Sequence, residues 1–486
     1  MKRSFLTITS IAAAGLLLAG CSALPAATAS GSGSGEASQT QSQGAGQDGT
    51  TSEAVALTAF DGELDPESVI AENSDVATVN DDEWSASEAI DIALQGSSAR
   101  VDGSGVEVAG STITISDAGV YRLSGSLDGG VVVAAPDDAQ VVLILDDAEI
   151  ANADGSGIEV QSADDVVISL AKGSENAVSD ASSYADDATA NAAIHARSDL
   201  TISGDGSLSV KGNGNDGISS TDDLIVLSGS LTVDAADDAL RGKDALVVQG
   251  GSLDLTATGG DGLRSDQDDD ATKGVVLLRG GTIDITAGDD GVQAATDVVM
   301  TGGDLSVSAA DHGVQGGQIV SVGGGTITVR DSNEGVQAVD VGIFGGSLDL
   351  TATDDGINAA GLNAGGQDRE SDTGERLEVS DGVVTVQAGK DGFDSNGTIA
   401  VSGGSITITS AANGGDGPLD GNGSVTLAEG TVVANGNEVD PDTAGQTTGG
   451  PGAGGGMGGP GAGGQPPAGA PGADGSSAPG TSNPLS

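Results

Sequence analysis

Aspartate recurs at a fixed beat through the middle of the chain, and its carboxylate can either form turns or bind a hard cation. Residues 201–360 hold 25 Asp and a single Glu, Glu334. Acidic turns repeat as Asp237-Asp238-Ala239-Leu240, Asp261-Gly262-Leu263, Asp289-Asp290-Gly291-Val292 and Asp354-Asp355-Gly356-Ile357. If the repeats stack, Asp216, Asp238, Asp261, Asp290, His312, Glu334, Asp355, Asp391 and Asp416 form one column. Neighbours about 5 Å apart would repel by ~1 kcal/mol in water and ~3 kcal/mol at an effective dielectric of about 20. Two chemistries can offset this. Asp accepts backbone N–H bonds and suits Asp-Gly turns, whereas Ca²⁺ gathers about six to eight oxygens from carboxylates and carbonyls. Turn chemistry accounts for the column as a whole. Calcium is expected where paired acids meet a longer loop, with Asp216, Asp237, Asp238, Asp261, Asp266, Asp289, Asp290, Asp354 and Asp355 as the candidate ligands.

Two insertions break the beat: Arg264 to Lys273, with Asp266, Asp268, Asp269 and Asp270, and Gly361 to Glu375, with Asp368, Glu370 and Asp372. Loops leaving a regular stack are common places for function. The first begins like a helix–loop–helix calcium site, but Ala271 and Leu277 stand where Gly and Glu are needed. Arg241, Lys243, Arg264 and Lys273 lie beside the acids, either as counter-ions or as contacts for an acidic ligand. His195 and His312 have no nucleophile beside them and read as structural. Cys21 is the only cysteine, so there is no intramolecular disulfide and no thiol chemistry in the body.

The elements that must position these groups are short strands. Gly250-Gly251-Ser252-Leu253-Asp254-Leu255 recurs as Gly280-Gly281-Thr282-Ile283-Asp284-Ile285, and again from Gly302, Gly324, Gly345 and Gly403. The second glycine steps through 229, 251, 281, 303, 325 and 346. A third strand type, Ala245-Leu246-Val247-Val248 or Asp297-Val298-Val299-Met300, precedes each Gly-Gly. Three alternating strands per repeat cannot bury an apolar face alone, but stacked coils can. The expected fold is all-β, a right-handed parallel β-helix of about 22 residues per coil over 100–438, with a cap region at 54–99 closing its N-terminal end.

The ends differ in composition. Lys2, Arg3, an apolar run and Leu18-Ala19-Gly20-Cys21 read as a secretory signal over 1–20 that resembles a lipoprotein signal, with the lipid on Cys21. A Gly/Ser/Thr/Gln tether is expected over 21–53 and a disordered Gly/Pro-rich tail over 439–486. The expected location is extracytoplasmic, lipid-anchored to the outer face of the cell membrane, with no other membrane contact. The net charge of −57 repels phosphate backbones, so nucleic acid is excluded as a partner, and a monomer is expected.

Gly119-Val120-Tyr121-Arg122-Leu123-Ser124-Gly125, Val142 to Ile150, Ser174-Glu175-Asn176, Asp199 to Gly206, Ala192-Ala193-Ile194-His195-Ala196 and Arg241-Gly242-Lys243-Asp244 together resemble a bacterial family. It is the carbohydrate-binding β-helix family whose founding member binds cellulose and polygalacturonate. The resemblance implies a fold related to polysaccharide lyases, calcium among aspartates of adjacent coils (here Asp216, Asp238, Asp261 and Asp290), and binding of an extracellular polysaccharide without cleavage. One Trp, two Tyr and four Phe offer few stacking platforms, which favours an acidic sugar bridged by Ca²⁺ over a neutral glucan. Two alternatives stand beside this: a calcium-assisted uronate lyase using Arg241, Lys243, Arg264 or Lys273 as base, and a non-catalytic adhesin or wall rod.

Overall fold

The alternation seen in the sequence becomes stacked columns of side chains. Leu231, Leu253, Ile283, Leu305, Ile327 and Leu348 are register partners in successive parallel strands, and all are buried. Asp254 and Asp284, one residue on, point away from the core. The computed structural model describes residues 60, 62–73, 84–185, 188–361, 371–412 and 416–444. These belong to the unit Glu53–Ser486; Met1–Ser52, including Cys21 and the expected signal and tether, lies outside the described residues, as does the tail from 445. The described chain is nearly all β, a β-helix-like solenoid of parallel strands.

Each full coil supplies three short strands, illustrated by Leu240–Gly242, Ala245–Val248 and Ser252–Ala257. Strands of the first kind form a 14-stranded sheet, the front face. The second and third kinds merge into one 25-stranded sheet, because the long strands Gln140–Ala151, Asp340–Ala352 and Arg376–Ala388 run through both. The Gly-Gly corner between them requires the left-handed backbone region, with φ +90° at Gly281 and +92° at Gly303. A Cβ at Gly303 would also lie 2.8 Å from the Gly280 carbonyl carbon. The motif is therefore a packing requirement of the stack.

Second-face strands such as Val275–Leu278 are apolar throughout and bury both sides. Val276 and Leu278 enter the core, whereas Val247, Leu277, Val299 and Ile319 need an outer cover. The N-terminal segment supplies it. Leu64 and Val69 pack on that row, Ser321 Oγ donates to Leu64 O (2.6 Å), Asn73 Nδ2 to Asp297 Oδ2 (2.7 Å) and Arg376 Nη1 to Gly62 O (3.1 Å). Its helix, Pro66–Glu72, starts on an Asp65 N-cap that accepts from Glu67 N and Ser68 N. Farther along, Trp84 and Ala89 cover Val120, Val142, Ile144 and Val167.

Residues 62–73 of the expected cap region are thus a strap along one face, and the reason is chemical: a strand with no polar alternation cannot face water. Coiling also begins earlier than expected, since Ile90–Gly96 already pairs in parallel with Gly119–Asp128. The ends are blunted by antiparallel pairs, Ile90–Gly96 with Ala99–Val101 and Val432–Ala434 with Asn437–Glu438. Leu64→Ala is expected to weaken the strap by about 2–3 kcal/mol. Amide hydrogen exchange over 66–72 should rise well above that of the front face, and equal protection in both proteins would contradict the latch.

Candidate functional site

On the front face one residue of each short strand points inward and the next points outward. Register stacks the outward residues into a row: His195, Ser219, Arg241, Arg264, Gln293, Gln315, Gln337, Asn358, Asp394 and Asp420. Beside it, at the turn that opens each strand, runs the acidic column. The in-register spacing of a parallel sheet is about 4.8 Å, so the row offers a polar group at each step. Gln315 Nε2 donates to Gln337 Oε1 (3.0 Å) and Asn358 Nδ2 to Glu334 Oε2 (3.1 Å). Gln293 Oε1 and Asn358 Oδ1 are buried and accept no hydrogen bond from the protein.

The column is a ladder of side chain to backbone bonds. Asp238 Oδ1 accepts from Asp261 N, Asp261 Oδ1 from Asp290 N, Asp290 Oδ1 from His312 N and Asp355 Oδ1 from Asp391 N, each at 2.9 Å. A carboxylate one methylene from the backbone spans one coil step, which explains the choice of Asp over Glu. The glycine that follows is fixed by the core: a Cβ on Gly291 would meet Val307 Cγ1 at 2.3 Å and Gly313 O at 2.6 Å.

Charge in the early coils is met by arginine. Arg264 Nη1 lies 3.1 Å from Asp261 Oδ2, and its Nε lies 3.6 Å from Asp238 Oδ2. Arg241 donates to Asp266 Oδ2 from Nε (3.1 Å) and Nη2, and its Nη1 stands 3.8 Å from Asp216 Oδ2, too far for a hydrogen bond. Burial first, then the Asp238 and Asp290 charges, push the Asp261 carboxyl up to about 8, against the pull of Arg264. Asp216 and Asp238 are raised by burial as well. His312 takes an Asp position and brings a charge of its own. Its Nδ1 is 2.8 Å from Asp290 Oδ1; burial lowers the imidazole, but the Asp290 bond together with the charges of Asp290, Asp311 and Glu334 raises it to about 9.

The candidates from the sequence separate into two corners. Asp216, Asp238, Asp261, Asp290 and Asp355 are column members, with Asp237, Asp289 and Asp354 beside them, and Asp354 is bonded to Lys390 Nζ. Asp266 reaches the row through Arg241 and, at 4.0 Å, through Arg264 Nε. Arg241 and Arg264 stand in the row. Lys243 and Lys273 lie at the far end of the short strands, where Lys273 Nζ pairs with Asp244 and the Lys243 carbonyl accepts from Gln267 N. Both insertions leave from that far corner, after Ser265 and after Ala359, and 362–370, with Asp368 and Glu370, lie outside the described residues. His195 is buried on the row with neither ring nitrogen hydrogen-bonded, and burial lowers it to about 4.

For a hard cation the donor set fits: the column and row supply carboxylate and amide oxygens, and Asp216 Oδ2 and Asn358 Oδ1 are buried without a hydrogen bond. Among the described residues, two sets of potential ligand atoms lie within 4.8 Å of one another, Asp290 with Asp311 and His312, and Asp199 with Asp222 and Asp223. The second set sits at the far corner and is absent from the candidates that the sequence singles out. Its signal is the acid opening three successive second-face strands, at Asp165, Asp199 and Asp223.

The carbohydrate-binding domain-containing protein family matches residues 109–362 and 305–453, more than half of the chain. This chain belongs to that family. A carbohydrate-binding domain-containing protein of Acetivibrio thermocellus is 37% identical over 136 residues, 27% of this chain and 48% of the relative, so the chain spans about half that protein's length. A solved polysaccharide lyase-like protein from C. thermocellum, a gadolinium derivative, is 32% identical, covering 48% of this chain and 96% of its own, with TM-score 0.47. Family membership supports carbohydrate as the ligand class.

Proposed function

We propose that this is a non-catalytic, cell-surface lipoprotein that binds an acidic, pectin-like polysaccharide along the front face in a Ca²⁺-dependent way. The observation behind this reading is the in-register row Arg241, Arg264, Gln293, Gln315, Gln337 and Asn358. An extended glycan advances per sugar ring by a distance close to one strand spacing, so one chain could meet a new donor pair at each coil. Amides and guanidinium groups hydrogen-bond hydroxyls and carboxylates in the ring plane, which suits a face poor in aromatics. The Asp column repels a polyuronate. Calcium would bind both sets of carboxylates and convert that repulsion into a bridge.

In this reading the solenoid is right-handed with coils of about 22 residues, and a lipid on Cys21 holds it outside the membrane. A lyase reading needs a base near neutral pH. Arg264 and Arg241 are both driven further upward by the aspartates around them, and Lys243 and Lys273 stand off the row. They serve better as counter-ions than as proton acceptors.

The test is retention of the purified protein on pectic acid and on cellulose, with calcium and with chelator. Retention on pectic acid that chelator abolishes is expected, and Gln315→Leu with Gln337→Leu should weaken it at least tenfold. Retention on cellulose alone would overturn the acidic-sugar reading, and an ultraviolet-absorbing product from pectic acid would overturn the non-catalytic one.

A further inference from the structure

Two buried side chains join the N-terminal strap to the second face, and the join is short of a proton. Asn73, at the C-terminal end of the helix Pro66–Glu72, is 2% exposed, and Asp297, which opens the strand Asp297–Met300, is 5% exposed. Both hydrogens of Asn73 Nδ2 are committed, one to Val69 O at 2.9 Å and one to Asp297 Oδ2 at 2.7 Å. Those two bonds fix which end of the amide is which. The amide oxygen then needs a donor, yet Asn73 Oδ1 is buried and accepts no hydrogen bond, and the same is true of Asp297 Oδ1. Two acceptors on one pair cannot satisfy each other while the carboxyl is ionised.

The charged groups around the pair do not supply the missing donor. Glu72, next to Asn73, adds negative charge, and Glu67 lies in the first turn of the same helix. The strands paired on either side, Val275–Leu278 and Ile319–Val322, carry no titratable side chain. Beyond their ends stand Lys273, paired with Asp244, and Asp340, paired with Arg376.

We infer that Asp297 is a carboxylic acid in the docked protein, its Oδ1 proton donated to Asn73 Oδ1, and that this acid–amide pair is a proton-operated latch for the strap. Ionisation removes the donor and leaves a buried carboxylate against an amide oxygen, which the helix relieves by lifting off. Burial raises the Asp297 carboxyl to about 6, against the pull of Asn73 and the Ile319 N–H, and the Glu72 charge adds to the rise. A lifted strap returns Asp297 to its ordinary value of about 4. Docking is therefore favoured on the acid side and weakens as the pH climbs from about 4 to about 6. The other two ties, Ser321 Oγ to Leu64 O and Arg376 Nη1 to Gly62 O, do not titrate in that range. Opening is confined to the helix, and it uncovers Val299 and Ile319.

Amide hydrogen exchange on the full chain at pH 5 and pH 7.5, corrected for the intrinsic rate at each pH, reads the latch. Protection over 69–73 should fall about tenfold at the higher pH in wild type. Asp297→Asn puts an N–H where the acid has its O–H, so protection over 69–73 should stay at its pH 5 level at both values. Unchanged front-face protection at pH 5 shows that this variant is folded. Three results overturn the latch: no fall in wild type, an equal fall in Asp297→Asn, or a strap in that variant already unprotected at pH 5.

Discussion

In chelator, the melting temperature falls as the pH is raised from 5 to 9. Asp261, Asp391 and Asp394 are pushed up to about 8, 7 and 8, by burial first and by neighbouring carboxylates next. Between about pH 4 and those values the folded protein holds protons that the unfolded chain has released. Stability is therefore highest at the acid end of that window and is lost as each folded-state value is passed. His312 acts in the same direction. Raised to about 9, its ion pair with Asp290 contributes fully below its ordinary value and is lost as the pH climbs through 9. A tenfold difference in proton affinity between the folded and unfolded chain corresponds to about 1.4 kcal/mol. Crowded carboxylates relax as they ionise, so a total of a few kcal/mol is expected, on the order of 5 °C or more in the transition. Millimolar calcium at pH 8 should restore much of it. A transition that stays flat or rises with pH in chelator would show that the crowded carboxylates are not ionising at folded-state cost.

How far the sequence reaches follows from what is local in this fold. The Gly-Gly corners and inward Leu and Ile columns are legible because each is set by one repeat and its copy: positive φ at Gly281 and period-two burial at Leu253 and Leu255 need no distant partner. The strap cannot be read that way. Leu64 and Val69 meet Leu277 and Val299 across more than 200 residues, and nothing in Pro66–Glu72 names its partner. The only hint is the lack of alternation in Val275–Leu278, which demands a cover without saying which.

The site is half legible for a related reason. The column is visible as an acid before each glycine, but the row beside it stands out only at its charged members, Arg241 and Arg264. Gln293, Gln315, Gln337 and Asn358 are equally marked, each two residues after the turn glycine and one after an inward apolar residue, as in Gly291-Val292-Gln293 and Gly356-Ile357-Asn358. Neutral amides attract no notice until a register places them side by side. The choice between turn chemistry and metal is also beyond the sequence. A backbone N–H on Asp238 Oδ1 and a guanidinium beside its Oδ2 depend on where the next coil sits.

That double neutralisation makes Arg264 the residue whose loss should be felt most among the surface positions. Its Nη1 and Nε stand at 3.1 and 3.6 Å from the inner oxygens of Asp261 and Asp238, whose side chains are 3% and 5% exposed. Arg264→Ala leaves two buried carboxylates one coil apart, with only the Arg241 charge still acting on Asp238. Breaking such a pair costs about 3–5 kcal/mol when fully buried, and the lower end, about 3 kcal/mol at pH 8, applies because the guanidinium is about a third open to solvent. At pH 5 the Asp261 carboxyl, already pushed up to about 8 by burial and its acidic neighbours, holds its proton, so the cost should shrink to about 1 kcal/mol. Arg264→Lys should recover part of the loss at pH 8, since an ammonium supplies the charge without reaching both oxygens in one plane. Denaturant unfolding at the two pH values separates the possibilities. A penalty equal at pH 5 and pH 8 would assign Arg264 to packing of its aliphatic stem, whereas a pH-dependent one identifies it as the built-in cation of its coil.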